Sequence, residues 1–265
     1  MAWGQESRQQ PIETFLEWKG FPAGAWKRVR VRRETYDAKG KLVNRSTADT
    51  TTTLLAIDGQ GFTLRADVNV EVAGRRFTLQ PQEIWYGFNG ETKGEVVSAK
   101  LSGSDSLELN GRKVDTQVCE VVVRSGKVVR TITAHCADIF PDVIRKQSIT
   151  VDHSGEQPKE LERVTSEVVA LDLPHWTGTE VKSACLIRTV AIRPDGRTVT
   201  LELHCEDVPG RVVAHWSSKW NGDGALVERS VLELVDYSNR DATNGVRFTP
   251  LRRPLFPRHH PGRPN

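Results

Sequence analysis

The stretch VCEVVVRSGKVVRTITAHC (residues 118–136) decides the fold, because a similar stretch, ACLIRTVAIRPDGRTVTLELHC, occurs again at residues 184–205. The sequence that follows each copy is also similar, and the similarity ends at Asp172 in the first copy and at Asp236 in the second. Recurrence of this kind indicates one structural unit that is used twice. The chain is therefore predicted to contain internal repeats at about residues 106–172 and 173–238.

Each copy alternates between apolar and polar residues. In the second copy Val199, Leu201 and Leu203 share one face of a strand, and Glu202 and His204 point to the other. A period of two residues is typical of antiparallel strands with one buried and one solvated face. Both copies are therefore expected to turn the cysteine of the His-Cys pair into the interior and the histidine out to water.

Strand-like sequence continues through most of the chain, from Trp26 to Asp236. It is rich in Val, Thr and Leu, which favour strands, and turn signals such as Asn110-Gly111 and Asp195-Gly196 interrupt it. The predicted fold is mainly β: a long antiparallel meander that twists into a curved, half-open β-barrel.

Composition and turn signals divide the chain into three segments. Residues 1–20 are predicted to contain a short amphipathic helix from about Pro11 to Lys19. Residues 21–238 are predicted to form the β domain. Residues 239–265 carry several prolines and few apolar anchors, so they are predicted to be a disordered basic tail.

Composition also narrows the class of protein. The chain has 265 residues, of which 37% are hydrophobic and 27% charged, and its net charge of +3 is too small to indicate nucleic-acid binding. No run approaches the roughly 20 apolar residues of a transmembrane helix. The first residues, MAWGQESRQQ, lack the apolar core of a signal peptide. Either the protein is cytosolic, or a leader has been removed and the chain is the mature form of a periplasmic or otherwise extracytoplasmic protein.

The cysteines occur as one matched pair in each repeat. They are Cys119, Cys136, Cys185 and Cys205. The Pro-Asp-Gly turn of the second repeat would set Cys185 opposite Cys205, close enough for a disulfide. In the first repeat the turn pairs Cys119 near Ile132, so a bulge would be needed to bring it to Cys136. Two disulfides in an oxidising compartment are one interpretation, and core cysteines that act as small hydrophobic side chains are the other.

The repeated His-Cys-x-Asp pattern is the chemically suggestive motif of the chain. His and Cys are ordinary metal ligands, so a metal site that uses His135 and His204 is an alternative. Adjacent strand residues point to opposite faces, which keeps His135 and Cys136 from reaching one ion, and an apolar row is a poor setting for a reactive thiolate. The sequence also lacks Walker, GxSxG, HExxH and CxxC motifs. We therefore predict that the protein is not an enzyme and that it uses no cofactor.

An open curved sheet leaves an apolar face that needs a lid, a partner or a ligand. The aromatic residues predicted to line this face are Trp18, Trp26, Trp85, Tyr86, Trp216 and Trp220. Each of them taken singly is also compatible with an ordinary core position. As a set they favour an apolar partner, such as a lipid or a lipidated protein.

The chain also resembles a family of exported bacterial proteins. Its opening motif W-x-G-F-x-x-G-x-W runs from Trp18 to Trp26, and the long meander follows it. A second pattern, G-x-x-V…C…G-K…P-x-x-V…G…E-x-V-x-L, is carried by Gly111, Val114, Cys119, Gly126, Lys127, Pro141, Val143, Gly155, Glu167, Val169 and Leu171, and in the second copy by Gly178, Val181, Cys185, Gly196, Pro209, Val212, Gly224, Glu233 and Val235. Over about residues 10–238 the chain is similar to lipoprotein carriers of the LolA/LolB-like type and to periplasmic proteins of this broad group. The resemblance implies a half-open β-barrel around a helix or an apolar ligand, outside the cytoplasm, with no catalytic residues.

Three functions follow, in order of preference. The first is a non-catalytic binding protein that holds an apolar ligand or acyl chain by burying hydrocarbon, at about 0.8 kcal/mol per methylene. The second is a structural or protein-interaction module whose apolar face is filled by its own side chains, with the basic tail as its contact point. The third is a metal- or thiol-dependent enzyme centred on the His-Cys repeats.

Overall fold

The computed structural model describes residues 13–15, 17–92 and 94–240, and every regular element in these ranges is a β-strand. Within them no helix is long and apolar enough to cross a membrane. The strands are β1 (Trp26–Tyr36), β2 (Leu42–Ile57), β3 (Gly61–Val72), β4 (Arg75–Thr78), β5 (Gln82–Gly87), β6 (Glu95–Leu109), β7 (Arg112–Ser125), β8 (Val128–Cys136), β9 (Val143–Asp152), β10 (Lys159–Trp176), β11 (Val181–Arg193), β12 (Gly196–His204), β13 (Val212–Asn221) and β14 (Leu226–Ser238).

All of these strands belong to one antiparallel sheet. Its order is β4, β3, β2, β1, β14, β13, β12, β11, β10, β9, β8, β7, β6, and β5 pairs with β3 at the other end of that strand from β4. The sheet is curved and does not close, so β4 and β5 form one edge and β6 forms the other. The predicted antiparallel, half-open meander is confirmed.

The two sequence repeats form matching four-strand meanders, β7–β10 and β11–β14. β8 and β12 have 9 residues each, and β9 and β13 have 10 each. The internal repeat is therefore present in the fold. The division into segments 1–20, 21–238 and 239–265 stays a prediction, and the proposed tail beyond Arg240 lies outside the described residues.

An N-terminal segment (described residues 13–15 and 17–24) packs against one face of the sheet, here called the covered face. The backbone amides of Thr14 and Phe15 donate hydrogen bonds to the carbonyl oxygen of Phe88, at 2.9 and 2.8 Å. On the far side of the segment, the Nζ atom of Lys146 on β9 lies 3.4 Å from the carbonyl oxygen of Thr14. The segment thus bridges two distant parts of the curved sheet.

Aromatic packing anchors this segment. Trp18 is 4% exposed and belongs to a buried cluster whose other members are Leu54, Phe62 and Phe88. The ring of Phe15 stacks on that of Phe62, with the centroids 5.7 Å apart. Part of the covered face is therefore filled by the chain's own side chains.

The predicted N-terminal helix is wrong for the residues that the structure describes. Residues 17–20 form a turn, and residues 13–15 have no helical conformation; Pro11, Ile12 and Leu16 lie outside the described residues. A helix of two or three turns is marginal in water, so tertiary packing of Phe15 and Trp18 sets the local backbone instead.

The two copies of the His-Cys pair lie on opposite faces of the sheet. Cys119 is opposite Ala134 across the β7–β8 ladder, whereas Cys185 is opposite His204 across the β11–β12 ladder. A shift of one residue along a strand exchanges its two faces. His204 is therefore buried, with 7% of its surface exposed, which corrects the prediction that it points to water.

The one-residue difference in register between the two repeats also places polar side chains of β12 on the covered face. Lys146, which contacts the N-terminal segment, starts a cross-strand row that runs through Ser166 and Thr189 to Thr200. His204 continues this face along β12. The residues on the other, uncovered face are Val199, Leu201 and Leu203. The predicted inward apolar row of the second repeat therefore lies half-buried on the uncovered face, where Leu203 packs against a buried cluster that includes Cys205, as predicted for that cysteine.

The edge strand β6 is long and exposed, with 15 residues and a side chain such as Leu101 at 52% exposure. Its ladder with β7 is interrupted between Val96 and Ser98 and again between Leu101 and Gly103. Bulges of this kind twist an edge and disfavour pairing with other chains.

Candidate ligand-binding site

The two edges of the curved sheet approach each other and leave a groove between them. One wall comes from β5 and its neighbouring turns, with Gln60, Trp85 and Phe88, and the other comes from β6, with Val96 and Ala99. This groove, here called the seam groove, has a volume of about 440 Å³. That volume lies within the range of roughly 300–1,000 Å³ that is common for small-molecule sites.

Close backbone packing fixes the position of Trp85. β5 pairs with β3 so that Trp85 is opposite Thr63. A Cβ atom on Gly61 would overlap the carbonyl oxygen of Tyr86 and would lie 2.9 Å from the Trp85 ring. Glycine at this position is what lets β5 approach β3, and it sets the wall of the groove.

The charged groups that line the seam groove are carboxylates, namely those of Glu13, Glu91 and Glu95. Glu91 is 8% exposed, and its Oε2 atom accepts a hydrogen bond from the Asn89 amide at 3.0 Å. Lys19 pairs with Glu13, and its Nζ atom lies 5.7 Å from the centroid of the Phe88 ring. An apolar groove with this lining disfavours a ligand whose head group is an anion.

Of the predicted aromatic residues, Trp85 lines the seam groove. Trp18 belongs to the buried aromatic cluster of the covered face, and Tyr86 packs against that cluster. Trp26 lies at the start of β1, whereas Trp216 and Trp220 lie on the uncovered face. Trp216 is 44% exposed. The structure therefore does not bring the predicted set together on one apolar surface.

The two histidines of the metal hypothesis do not meet. His135 lies on β8 and His204 on β12, with three strands between them and on opposite faces. His135 Nδ1 is 3.5 Å from the hydroxyl of Thr116 and 3.6 Å from a carboxylate oxygen of Asp105. Within the described ranges no group of three or more His, Cys, Asp and Glu side chains could hold a metal ion.

The cysteine pairing also differs from the sequence prediction. Cys185 is opposite His204 instead of the next residue, and Cys119 is opposite Ala134 instead of lying near Ile132. Cys119, Cys136, Cys185 and Cys205 are free thiols. The two disulfides therefore stay a prediction.

Burial governs the chemistry of these thiols. It raises the pKa of Cys185 to about 12, and burial together with the adjoining Cys119 thiol raises the pKa of Cys136 to about 12. We expect iodoacetamide at pH 8 to alkylate both residues in the folded, reduced protein about a thousandfold more slowly than an exposed cysteine of pKa ~8.5. Mass spectrometry of time points would measure the rates, with urea-unfolded protein as the control. Rapid labelling of either thiol in the folded protein would revive the thiol-enzyme hypothesis.

Comparison with other proteins gives a distant likeness. A scan against protein-family models and a search of curated proteins give no match. Among solved structures, the chain is similar to a candidate exported protein with a YmcC-like fold from Bacteroides fragilis, with a TM-score of 0.33 and 12% identity over 85% of this chain and 100% of that one. It is also similar to a candidate lipoprotein from Parabacteroides distasonis, with a TM-score of 0.29 and 13% identity over the same shares.

Proposed function

We propose that this is a non-catalytic, extracytoplasmic binding protein that holds an apolar chain in the seam groove. The observation that carries the proposal is the unclosed sheet, whose two edges present Trp85, Phe88, Val96 and Ala99 to one groove of about 440 Å³. Burial of eight methylenes there would contribute about 6 kcal/mol. Binding of this kind needs a complementary apolar surface from which water is excluded, and it needs no catalytic group.

The carboxylates of the groove select among apolar ligands. Glu91 and Glu95 would repel the carboxylate of a free fatty acid, whereas an acyl chain joined through an uncharged ester or amide meets no such repulsion. The proposed ligand is therefore the acyl chain of a lipidated protein or a neutral lipid.

Monopalmitoylglycerol, which has an uncharged head group, is expected to bind at least about tenfold more tightly than palmitate. Trp85→Ala and Val96→Asp should each weaken its binding at least about tenfold, because the first removes an apolar wall and the second adds a charge; tenfold corresponds to about 1.4 kcal/mol. Calorimetry or fluorescence titration would measure the affinities, with Trp176→Ala as the matched control, since Trp176 is 60% exposed at the end of β10. Absence of saturable uptake of either lipid by the wild-type protein would overturn the proposal.

A second candidate is the protein-interaction module with a self-filled interior. The packing of Phe15 and Trp18 on the covered face favours it, because the apolar part of that face is already occupied. In this case lipid binding would be absent, and deletion of the basic tail, residues 239–265, would abolish binding of a protein partner.

A further inference from the structure

A second cavity lies beneath the N-terminal segment and shares no lining residue with the seam groove. It is bounded by Glu17 of that segment, by strands β9 to β12 and by the loop before β13, and its volume is about 120 Å³. Its ionisable lining includes Lys146, Glu202, His204 and Arg211. Acidic and basic groups from separate elements therefore converge on one small space.

The loop before β13 holds Arg211 in a fixed position. The carbonyl oxygen of Arg211 accepts a hydrogen bond from the backbone amide of Cys205 at 2.8 Å, and the backbone amide of Arg211 donates one to the carbonyl oxygen of Val208 at 2.7 Å. Its guanidinium donates to a carboxylate oxygen of Asp142 at 2.6 Å and lies over the Phe140 ring, 5.2 Å from the centroid. Arg211 therefore lines the cavity with its guanidinium held in place.

Several polar atoms around the cavity lack good partners in the part of the chain that the structure describes. Glu17 Oε2 and Arg211 Nε are buried and have no hydrogen-bond partner there. The Nζ atom of Lys146 is 3.4 Å from the Thr14 carbonyl, and His204 Nε2 is 3.4 Å from Glu202 Oε2, both at the long limit for a hydrogen bond. Buried polar groups in native proteins are nearly always satisfied, so a polar occupant is expected.

The cavity is partly open to solvent, and its volume indicates how much of a ligand it can enclose. A cavity of ~150 Å³ holds one benzene molecule, and a water molecule takes ~30 Å³ of liquid volume. A space of about 120 Å³ therefore accepts about four waters or one molecule of about five or six non-hydrogen atoms.

Acidic and basic side chains both line the cavity. Glu17, Glu167 and Glu202 are acids that line it, and Lys146 and His204 are basic residues that line it, while Asp142 and Glu167 already pair with Arg211 and Arg188. Burial raises the pKa of Glu17, and the positive charges of Lys146, His204 and Arg211 oppose that rise. A net cation or a net anion would leave one set of these groups unpaired.

We propose that the cavity binds a small amphoteric molecule of the size of glycine or alanine. Its ammonium group would donate to Glu17 Oε2, and its carboxylate would accept from Lys146 and from Arg211 Nε. One ligand of this kind would satisfy both Glu17 Oε2 and Arg211 Nε. It is independent of the lipid proposal, because the seam groove contributes nothing to it.

Glu17 gives this site a link to the fold. Glu17 belongs to the N-terminal segment, whereas the other ionisable groups belong to the sheet and its loops. A ligand that bridges them binds the docked segment and not the released one, so it raises the melting temperature as its concentration rises.

Titration with glycine and L-alanine tests the proposal, with acetate and methylamine as single-charge controls. Wild-type protein should bind one glycine or alanine saturably by calorimetry, at least about tenfold more tightly than it binds acetate or methylamine, with a rise in melting temperature. Glu17→Gln and Lys146→Met should each weaken binding at least about tenfold. Glu156→Gln, at an exposed turn position, should leave it unchanged.

A measurement on the wild-type protein keeps the test independent of how the variants fold. The imidazole NMR signals of His204 should shift saturably with glycine and should not shift with an equal concentration of sodium chloride. Absence of saturable binding of glycine and alanine would mean that the cavity holds water alone and would overturn the proposal. Binding that is equally tight in Glu17→Gln and Lys146→Met would overturn it as well.

Discussion

Replacement of Trp18 by alanine is expected to lower the free energy of unfolding by about 3–5 kcal/mol, the usual cost of removing a buried large aromatic side chain. Trp18 is 4% exposed and packs with Leu54, Phe62 and Phe88. It also supports Lys27, whose Nζ atom lies 5.9 Å from the centroid of the Trp18 ring. Removal of the indole leaves a void that the strands on either side cannot fill, because their ladders fix them.

Urea unfolding followed by circular dichroism would measure this loss. Trp176→Ala is the matched control, since Trp176 is 60% exposed, and its effect is expected to stay within about 0.5 kcal/mol. A loss below about 1 kcal/mol for Trp18→Ala would mean that the N-terminal segment does not pack on the covered face in solution, and the cavity beneath it would lose its lid.

The free energy of unfolding is expected to rise by about 2–3 kcal/mol between pH 8 and pH 10.5 through Lys27. The ammonium group of Lys27 donates to the carbonyl oxygens of Gly210 and Val212, at 3.0 and 3.1 Å. Burial lowers its pKa from 10.5 to about 8, although Glu17 and Glu202 oppose the shift.

The sign follows from proton counting. Between these two pKa values the unfolded chain keeps the proton on Lys27 and the folded chain has lost it, so the unfolded state binds more protons and stability rises with pH. Below about pH 8 both states are protonated, and the cost of the buried ammonium is present in full.

Comparison of the wild-type protein with Lys27→Met isolates this contribution. The difference in unfolding free energy between the two should change by about 2–3 kcal/mol from pH 7.5 to pH 10.5, whereas the difference between wild type and Lys159→Met should stay flat, because Lys159 is exposed. A flat difference for Lys27→Met would show that the ammonium of Lys27 is solvated in the folded protein.

The sequence predicts the strands and the repeat well, because both depend on local alternation. It fails at the faces of the second repeat, because the face depends on how far each residue lies from its turn. The hairpins close at Ser125↔Val128 and at Arg193↔Gly196, and His204 lies one residue farther beyond its turn than His135 does. Because of that one additional residue, His204 lies on the covered face. The alternation of apolar and polar residues alone does not predict this difference.

The seam groove was beyond prediction for a different reason. Trp85 was among the predicted residues, but Phe88, Val96 and Ala99 were not. The groove joins two edges of the sheet that have no ladder between them, so no register or periodicity links their residues. The polar cavity could not be predicted either, because the burial of Glu17 depends on the packing of a segment that was predicted to be a helix.

Because β1 pairs with β14, the first and last strands of the described residues lie side by side within the sheet. During translation this ladder cannot form until the ribosome has released Leu226–Ser238, and until then β1 has a partner on one side alone. Pairing over so long a sequence separation slows folding. During that interval the nascent chain exposes the unpaired edge of β1, which can aggregate with other chains. The yield of folded protein in the cell should therefore depend on chaperones that shield β1 until synthesis is complete.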